Sequence, residues 1–483
     1  MKMRKIMAVF WIVAALMIGF AGGIYLATSQ GNVQVAPGDS NGKYTSKQEI
    51  AQSDDKMQKI NQAYKLIKKH FVEKVDDKQL IEGAIHGMLS SLDDPYSSYM
   101  DIEAMEQFNE QIESSFEGIG AEVSLVNGKI TIVAPIKNSP AEKAGLRPND
   151  QVLSVNGESL EGYDLTEAVS KIRGKKGSEV VLEIIRPGVK DILEVKMTRD
   201  TIPIETVYAD MKKVDGKSTG IIEITTFSER TANEFYEQLT SLEDKGMEGL
   251  IIDVRGNPGG LLESVGDILA FFVPEDIPYV QIESRDGNRD PYFTDLTEKK
   301  PYPIQVLIDE GSASASEILA VALKEIGYDV VGTNSFGKGT VQQAVPLGDG
   351  STVKLTFFKW LSPKGNWIHE KGVKPTIEVK QPDYYFTHPV QIEKALSFND
   401  TGENIKNIQQ MLTGLGYQLE RIDGYFDKTT EKAVKSFQKD QNIKQTGKVD
   451  QDTAGLIETA LIEKIRSGED DRQMEKALQT LYK

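Results

Sequence analysis

The hydrophobic and polar positions divide the chain into blocks of different period, and the first block is continuously apolar. An uncharged run from Ile6 to Ala27 follows the basic residues of segment 1–5. About 22 residues at about 1.5 Å each span about 33 Å, enough to cross the hydrocarbon core of a bilayer. Since positive charge stays in the cytoplasm, the rest of the chain is predicted to lie outside it. We expect a cytoplasmic tail at 1–5 and a single-pass membrane anchor at 6–27, with a cleaved signal peptide and an exported chain as the alternative.

A polar segment and a helical region follow. Residues 28–53 are rich in Gly, Ser, Gln and Asn, which predicts a flexible linker. Apolar residues then recur at helical spacing, so residues 54–113 are predicted to form a helical N-terminal region with a turn at Asp93-Asp94-Pro95. This region shows no obvious active site. Its apolar faces pack on the rest of the chain or on a second copy, which makes a homodimer one expectation.

Two folded units of different class come next. Short alternating strands around the amphipathic helix Leu165–Ile172 predict a β-rich unit at 114–200. Strands and helices alternate through 201–384, which predicts an α/β core with a largely parallel sheet. The predicted strands of that core are Thr219–Thr225, Gly249–Val254, Ile304–Ile308 and Val330–Gly332, and its helices are Ser228–Leu242, Leu261–Phe272 and Ser314–Ile326.

The remaining C-terminal blocks are small and helical. Residues 398–462 form a separate unit, and 463–483 a C-terminal helical tail. The whole chain is therefore predicted to be α/β (α+β multidomain), in agreement with a length of 483 residues that exceeds one hydrophobic core.

Composition narrows the chemistry. A net charge of −17 repels phosphate backbones, so no nucleic-acid partner is expected. The absence of cysteine excludes disulfides, zinc–thiolate sites and cysteine nucleophiles. No metal-binding motif is found, and we expect neither a metal nor another cofactor. Only four histidines are present, and the two near the core, His369 and His388, have no partner motif, so we expect both to be structural or exposed.

Two loops that each follow a predicted buried strand and precede a helix could carry chemistry. The glycine-rich segment Asp253–Gly260 could turn backbone amides toward an oxyanion. The segment Asp309–Glu317 holds serines at 312, 314 and 316 near a helix N-terminus, where amides and the helix dipole favour an anion. The alternative is an ordinary serine cap completed by Glu317. The residues alone do not select one serine.

Lys338 is the candidate base. It lies between two glycines in a segment that superficially matches a phosphate loop, but residue 339 is Gly and a strand follows, so that hypothesis fails. In an extended segment Lys338, Thr340 and Gln342 point to one side. A lysine acts as a base only when burial lowers its pKa, and Phe336, Val341 and the adjoining β core are candidates for that burial.

The β-rich unit resembles a PDZ domain, through Ser139-Pro140-Ala141, Gly145-Leu146 and Asn156-Gly157. Such domains add a peptide as an edge strand and hold its terminal carboxylate in a loop of backbone amides. The resemblance places that peptide-binding loop at Gly118, Ile119 and Gly120. Arg173, just past the groove helix, is a regulatory candidate for sensing a bound peptide; a solvated cation at a helix end is the alternative.

Three motifs of the core, GSASASEI (311–318), FGKGTVQ (336–342) and DVRGNPGG (253–260), closely resemble the carboxy-terminal processing, or tail-specific, serine proteases, most of all the CtpA/CtpB group of Gram-positive bacteria. The resemblance spans about residues 55–380. It implies Ser314 as nucleophile, Lys338 as base and Gln342 as support for the lysine. It also implies an oxyanion hole from the amides of Ala315 and of Gly259 or Gly260.

The C-terminal unit resembles the small α-helical peptidoglycan-binding module, through Asn407–Leu412, Ile422–Asp427 and Ala433–Gln438. Cell-wall peptidoglycan is therefore an expected partner, with a structural role as the alternative.

The combined expectation is a serine endopeptidase on the extracytoplasmic side of the cell membrane. Its substrates would be exported or membrane proteins with apolar C-termini, recognised by a PDZ domain that also gates activity. The resemblance further suggests regulated proteolytic signalling, with a role in sporulation among the options. The competing hypothesis is a non-enzymatic, wall-associated PDZ scaffold.

Overall fold

The computed structural model describes residues 47–126 and 128–483. The predicted cytoplasmic tail, the predicted anchor at 6–27 and most of the predicted linker lie outside the described residues. Among the helices that the structure does describe, none is long and apolar enough to span a bilayer.

The N-terminal region combines three helices with two short strands. Asp101 begins the third helix by accepting a hydrogen bond from the backbone amide of Ala104 at 2.9 Å, and Ser114 ends it with a left-handed φ of 45°. The elements are α1 (Lys47–His70), α2 (Asp77–Ser90), β1 (Ser98–Met100), α3 (Ile102–Glu113) and β2 (Ser115–Gly118).

The β-rich unit is an antiparallel sheet of order β3-β4-β5-β7-β8, with β6 beside β5. Asp164 and Glu167 form a capping box that begins its longer helix, α5. The elements are β3 (Ala121–Val126), β4 (Lys129–Pro135), α4 (Pro140–Lys143), β5 (Gln151–Val155), β6 (Glu158–Ser159), α5 (Leu165–Ile172), β7 (Glu179–Ile185) and β8 (Leu193–Thr198). The chain enters and leaves this unit through a two-stranded ladder of β2 with β9 (Asp200–Pro203).

The α/β core contains a six-stranded sheet of order β10-β11-β12-β15-β16-β19, parallel except for β10 with β11. All residues of β12 and β15 are buried, as expected for strands covered on both faces. The elements are β10 (Val207–Val214), β11 (Lys217–Ile224), α6 (Thr231–Asp244), β12 (Gly249–Asp253), α7 (Leu262–Leu269), β13 (Val280–Glu283), β14 (Arg289–Tyr292), β15 (Ile304–Ile308), α8 (Ala315–Glu325), β16 (Asp329–Gly332), β17 (Thr340–Pro346), β18 (Thr352–Leu361) and β19 (Ile377–Glu378). The predicted largely parallel sheet is confirmed.

A second, antiparallel sheet of the core was not predicted. It has the order β1-β18-β13-β14, and β17 also pairs with β18. Its first strand comes from the N-terminal region, where Ser98 lies opposite Lys354 and Met100 opposite Thr352. The N-terminal region therefore contributes a strand to the core.

The C-terminal unit begins after a 3₁₀ turn (Asp383–Phe386) and packs α9 (Glu403–Gly414), α10 (Lys428–Asp440) and α11 (Gln451–Arg466) around its own apolar core. The last helix, α12 (Arg472–Thr480), instead packs against the parallel sheet. Its Ala477 and the following Leu481 pack on Ile251, Leu307 and Val331. Side chains alternate along a strand, so the residues next to these three in sequence lie on the other face of the sheet, against α6, α7 and α8. Helix α12 therefore covers the face opposite to those three helices.

Candidate active site

The carboxyl ends of the neighbouring parallel strands β12 and β15 place the two candidate loops side by side. Asp309 connects them, because its Oδ1 accepts hydrogen bonds from the amides of Gly256 at 2.7 Å and Gly311 at 2.9 Å. Burial raises the pKa of Asp309, and these amide hydrogen bonds act in the opposite direction. Glu310 accepts a hydrogen bond from Thr333 at 2.8 Å. Both acids therefore hold loops in place.

The three alternating serines differ in what their hydroxyl groups contact. Ser312 Oγ donates to the carbonyl of Val254 and Ser316 Oγ to the carbonyl of Asn257, each at 2.8 Å, and both serines are fully buried. Ser314 lines a small cavity of about 20 Å³. The outer hydroxyls attach the serine loop to the glycine-rich loop, and the middle serine faces the cavity.

The backbone of Ser314 is strained. Its φ of 54° and ψ of −111° lie in a region that residues other than glycine rarely adopt. Such conformations are destabilised by about 1–3 kcal/mol and concentrate at functional sites. Ser314 is also the N-cap of α8, where the helix dipole and the first amides favour a developing negative charge.

Glu317 is a fully buried carboxylate that connects the serine and lysine segments. Its Oε2 accepts from the amides of Ser314 at 2.9 Å and Lys338 at 2.8 Å. Its Oε1 accepts from the amide of Gly337 at 2.7 Å and the hydroxyl of Ser335 at 2.6 Å. Burial raises the pKa of Glu317, while these hydrogen bonds lower it. One side chain thereby brings the backbones of the nucleophile and base candidates together.

Lys338 is almost completely buried, with 1% of its surface exposed. Burial, followed by the positive charge of Lys354, lowers its pKa to about 7, although Asp94 and Glu317 act in the opposite direction. Phe336 is 50% exposed and does not provide the cover that the sequence suggested. The aromatic ring that faces Lys338 belongs to Tyr96, whose centroid is 4.8 Å from Nζ.

Gln342 is equally buried and lies on the same side of its strand as Thr340. Its Nε2 donates to Thr340 Oγ1 and to Thr356 Oγ1, each at 3.0 Å. The Thr356 hydroxyl in turn donates to Asp94 at 2.7 Å. The amide is therefore oriented by hydrogen bonds to two strands.

The two candidate oxyanion glycines are not equivalent. The amide of Gly259 donates to Asn257 Oδ1 at 2.8 Å, so its hydrogen is already used. Gly260 lines the small cavity together with Ser314 and Ala315. Neither position accepts a side chain: a Cβ on Gly259 would lie 2.8 Å from that of Ser314, and one on Gly260 1.9 Å from the carbonyl oxygen of Phe227.

The predicted peptide-binding loop lies beside an edge strand of the β-rich unit. β3 pairs only with β4 among the described residues, so its other edge can accept a peptide strand. The carbonyls of Ile119 and Gly120 accept hydrogen bonds from Ala141 N and Ile136 N, each at 2.8 Å, and so point into the domain. Arg173 lies at the end of α5 with its side chain 44% exposed, and it also forms an ion pair with Glu110 of α3 at 2.9 Å and contacts the ring of Phe116.

His369 lies near the lysine but has structural contacts. Its Nδ1 accepts a hydrogen bond from the amide of Gly339 at 3.3 Å, and its ring stacks on Trp367. A groove of about 830 Å³ runs past these residues and is also lined by Asp94, Tyr96 and Thr340.

The sequence pattern missed Asp94, Tyr96 and Thr356, and treated Glu317 only as a helix cap. The spacing of Ser314 and Glu317 does predict one of the four hydrogen bonds of this glutamate. No local pattern indicates that a turn in the N-terminal region reaches Lys338.

Models of known families match four segments of the chain. They are peptidase family S41 at residues 218–379, the N-terminal domain of the activating protease CtpB at 16–104, a PDZ domain at 131–186 and a peptidoglycan binding domain at 401–457.

Among the curated relatives that match most of the chain are two from one organism. The carboxy-terminal processing protease CtpB of Bacillus subtilis (strain 168) is 54% identical over 433 residues, covering 89% of this chain and 90% of that protein. CtpA of the same organism is 46% identical over 431 residues, covering 89% and 91%. Among solved structures, the photosystem II D1 C-terminal processing protease aligns at 27% identity and a TM-score of 0.41, covering 66% of this chain and 92% of that chain.

Proposed function

The chain belongs to the S41 family of carboxy-terminal processing serine proteases, and from this premise we propose that Ser314 is its nucleophile, Lys338 its general base and Gln342 the residue that orients the base. The resemblance to tail-specific proteases and the α/β core with a PDZ domain are confirmed. The hypothesis of a non-enzymatic scaffold is not retained.

The proposed reaction passes through an acyl-enzyme. Neutral Lys338 accepts the proton of Ser314 Oγ as the oxygen attacks the scissile carbonyl, and the lysine then gives that proton to the departing amine. The amides of Ala315 and Gly260 stabilise the oxyanion, since the amide of Gly259 is bonded to Asn257. A water molecule, deprotonated by the same lysine, attacks the acyl carbonyl, and the lysine then returns this proton to Ser314 Oγ as the carboxylic acid product leaves.

The burial of Lys338 is the observation on which this assignment depends. Because its pKa is about 7, a large fraction of the amine is neutral and basic near neutral pH. An exposed lysine would be charged at that pH and could not accept a proton.

A comparison of variants tests the assignment. Cleavage of a peptide with an apolar C-terminus should fall at least about 10³-fold in Ser314→Ala and Lys338→Ala. The exposed Lys245→Ala serves as the matched lysine control. Ser316→Ala should remain active with a modest loss, because its hydroxyl only braces the neighbouring loop. Activity that survives in Ser314→Ala and disappears in Ser316→Ala would refute the choice of serine.

The cavity beside Ser314 suggests the class of bond cleaved. Its walls include Leu262, Ile318, Val341 and Trp360, and its volume is about 20 Å³. We propose that it receives the substrate side chain that precedes the scissile bond, and that this side chain is small and apolar. Recognition of the substrate's apolar C-terminus is assigned to the PDZ groove at Gly118, Ile119 and Gly120.

Arg173 is proposed to couple peptide binding to activity. It connects the end of the groove helix α5 to α3, so a peptide that moved α5 would disturb the Glu110 contact. Peptide-stimulated cleavage should therefore change in Arg173→Ala and not in Lys171→Ala, whose side chain pairs with Glu158 on the exposed side. Unchanged stimulation in Arg173→Ala would exclude this role.

The location and partners remain proposals as well. We propose that residues 6–27 anchor the enzyme with its domains outside the cytoplasm, which alkaline extraction of membranes would test.

The C-terminal unit is proposed to bind peptidoglycan, which a pull-down with purified cell wall would test. Exposed Ile60, Ile67 and Met88 on α1 and α2 support a homodimer, which analytical ultracentrifugation of Ile67→Glu would test.

A further inference from the structure

The turn between α2 and β1 lies directly against the proposed base, although it is far from the protease motifs in the sequence. β1 pairs with β18, and this pairing fixes the preceding residues 94–97, here called the base-site loop, over β17 and β18. Asp94 and Thr356 are in hydrogen-bond contact across 262 residues of chain. The N-terminal region therefore reaches the catalytic core at one defined place.

Asp94 fixes the orientation of Gln342 through Thr356. A carboxylate only accepts hydrogen bonds, so the Thr356 hydroxyl must donate to Asp94 Oδ2. The Thr356 oxygen then accepts from Gln342 Nε2, and the second hydrogen of that amide goes to Thr340. Both amide hydrogens are thereby used, so the carbonyl oxygen is the remaining hydrogen-bonding atom of the Gln342 side chain.

Further hydrogen bonds hold the base-site loop in this position. Asp94 Oδ1 accepts from the amide of Tyr96 at 3.1 Å, and Asp94 Oδ2 also accepts from the hydroxyl of Ser97. The Ser97 oxygen accepts from the amide of Thr356 at 3.1 Å. The base-site loop is thus attached to both the side chain and the backbone amide of Thr356 in β18.

Tyr96 separates the amine of Lys338 from the large groove. Its ring lies 4.8 Å from Nζ and also lines the groove of about 830 Å³, which Lys338 does not line. The charged and titratable groups around Lys338 are Lys354 from β18, Glu317 from α8, His369 from the loop after Trp367, and Asp94 and Tyr96 from the base-site loop.

We propose that the base-site loop is a working part of the catalytic base: Asp94 is a positioning residue that acts on Gln342 through Thr356, and Tyr96 excludes groove water from Lys338. This inference rests on the proposed roles of Lys338 and Gln342. It assigns to the N-terminal region a direct part in the reaction.

Three variants of the full chain separate positioning from charge. Asp94→Asn should lower kcat at least about tenfold with little change in KM, because small displacements of a catalytic group have effects of this size or larger. It should also move the acid limb of the pH–kcat profile to lower pH by about one unit, because the Asp94 carboxylate favours the charged lysine. Thr356→Val should lower kcat similarly without moving the limb, and Thr356→Ser should restore kcat.

The matched control is Asp93→Asn, the same change at the adjacent exposed aspartate. Asp94→Asn and Thr356→Val both within twofold of wild type would overturn the positioning role, as would an equal loss in Asp93→Asn. Ser314→Ala and Lys338→Ala are measured beside them. If those two retain activity, the proposed function itself fails; if they are inactive while Asp94→Asn is unaffected, only this inference fails.

Tyr96 is tested with a ring-retaining and a ring-removing change. Tyr96→Phe should keep the profile of the wild type. Tyr96→Leu should move the acid limb to higher pH by about one unit, because burial is the largest cause of the lowered pKa of Lys338 and the change admits water. A limb that stays in place, or moves to lower pH through loss of the cation–π contact, would overturn the water-excluding role.

Discussion

Replacing Lys338 with methionine should abolish catalysis and at the same time stabilise the fold. Methionine has a similar length and no charge, so it removes the need to bury an amine that is 1% exposed. The pKa of Lys338 falls from 10.5 to about 7 on folding. At about 1.36 kcal/mol per pKa unit, this difference opposes folding by about 4 kcal/mol at pH 7. Because methionine also loses the contacts of the amine, we expect a net gain of about 2 kcal/mol in the free energy of unfolding.

The gain should depend on pH in a defined direction. Between pH 7 and 10.5 the lysine is protonated in the unfolded chain and largely neutral in the folded one, so the unfolded state binds more protons. The stability of the wild type therefore rises with pH through this window, and that of Lys338→Met lacks this contribution. The opposing free energy falls from about 4 kcal/mol at pH 7 to about 1 kcal/mol at pH 9.5.

Denaturant unfolding followed by tryptophan fluorescence measures this difference. Of the three tryptophans, Trp360 and Trp367 lie in the α/β core, and the indole of Trp360 donates to the carbonyl of Lys338 at 2.8 Å. The signal thus reports on the domain that contains the site. Lys245→Met, at an exposed lysine, should change stability by less than about 0.5 kcal/mol. A Lys338→Met protein that is less stable than wild type at pH 7, or a gain that does not shrink by pH 9.5, would refute the reasoning.

Three further outcomes are expected. With a substrate free of ionisable groups near the scissile bond, kcat/KM should rise with pH and level off above about pH 7, because only the neutral form of Lys338 accepts a proton. A pH profile that is already flat at pH 5.5 would contradict this expectation. In a peptide series, alanine before the scissile bond should give a kcat/KM at least about tenfold above phenylalanine, since the cavity of about 20 Å³ has no room for a ring. Asp471→Asn should lower the stability of the core by about 2 kcal/mol, because it removes one of the two carboxylates that pair with the partly buried Arg255 while Asp253 stays. Asp470→Asn, at an exposed aspartate, should have little effect on the fluorescence transition.

Periodic patterns in the sequence were sufficient for the elements and for part of the site. The parallel sheet follows from apolar strands that alternate with amphipathic helices, and β15 was predicted with the observed bounds Ile304–Ile308. The two-residue period of a strand also predicts that Thr340 and Gln342 lie on one side of β17. In the structure their side chains are hydrogen-bonded to each other. These features depend on neighbours within a few residues, which a single sequence displays.

The three serines differ in contacts between segments that the sequence does not display. From the residues alone they are equivalent, and only the family resemblance favours Ser314. In the structure Ser312 and Ser316 donate to carbonyls of the glycine-rich loop 58 and 59 residues away in the chain, whereas Ser314 lines the small cavity. The left-handed φ of Ser314 likewise has no signature in the residue types.

The class of fold and the candidate loops follow from the residue pattern alone, which also predicts a serine paired with a lysine. The groups that surround this lysine are visible only in the folded chain. Tyr96 and Asp94 come from the N-terminal region, and Asp471 reaches Arg255 from the last helix across 216 residues. The free energy that lowers the pKa of a buried amine arises from desolvation by residues distant in the chain, and no local period encodes which residues those are.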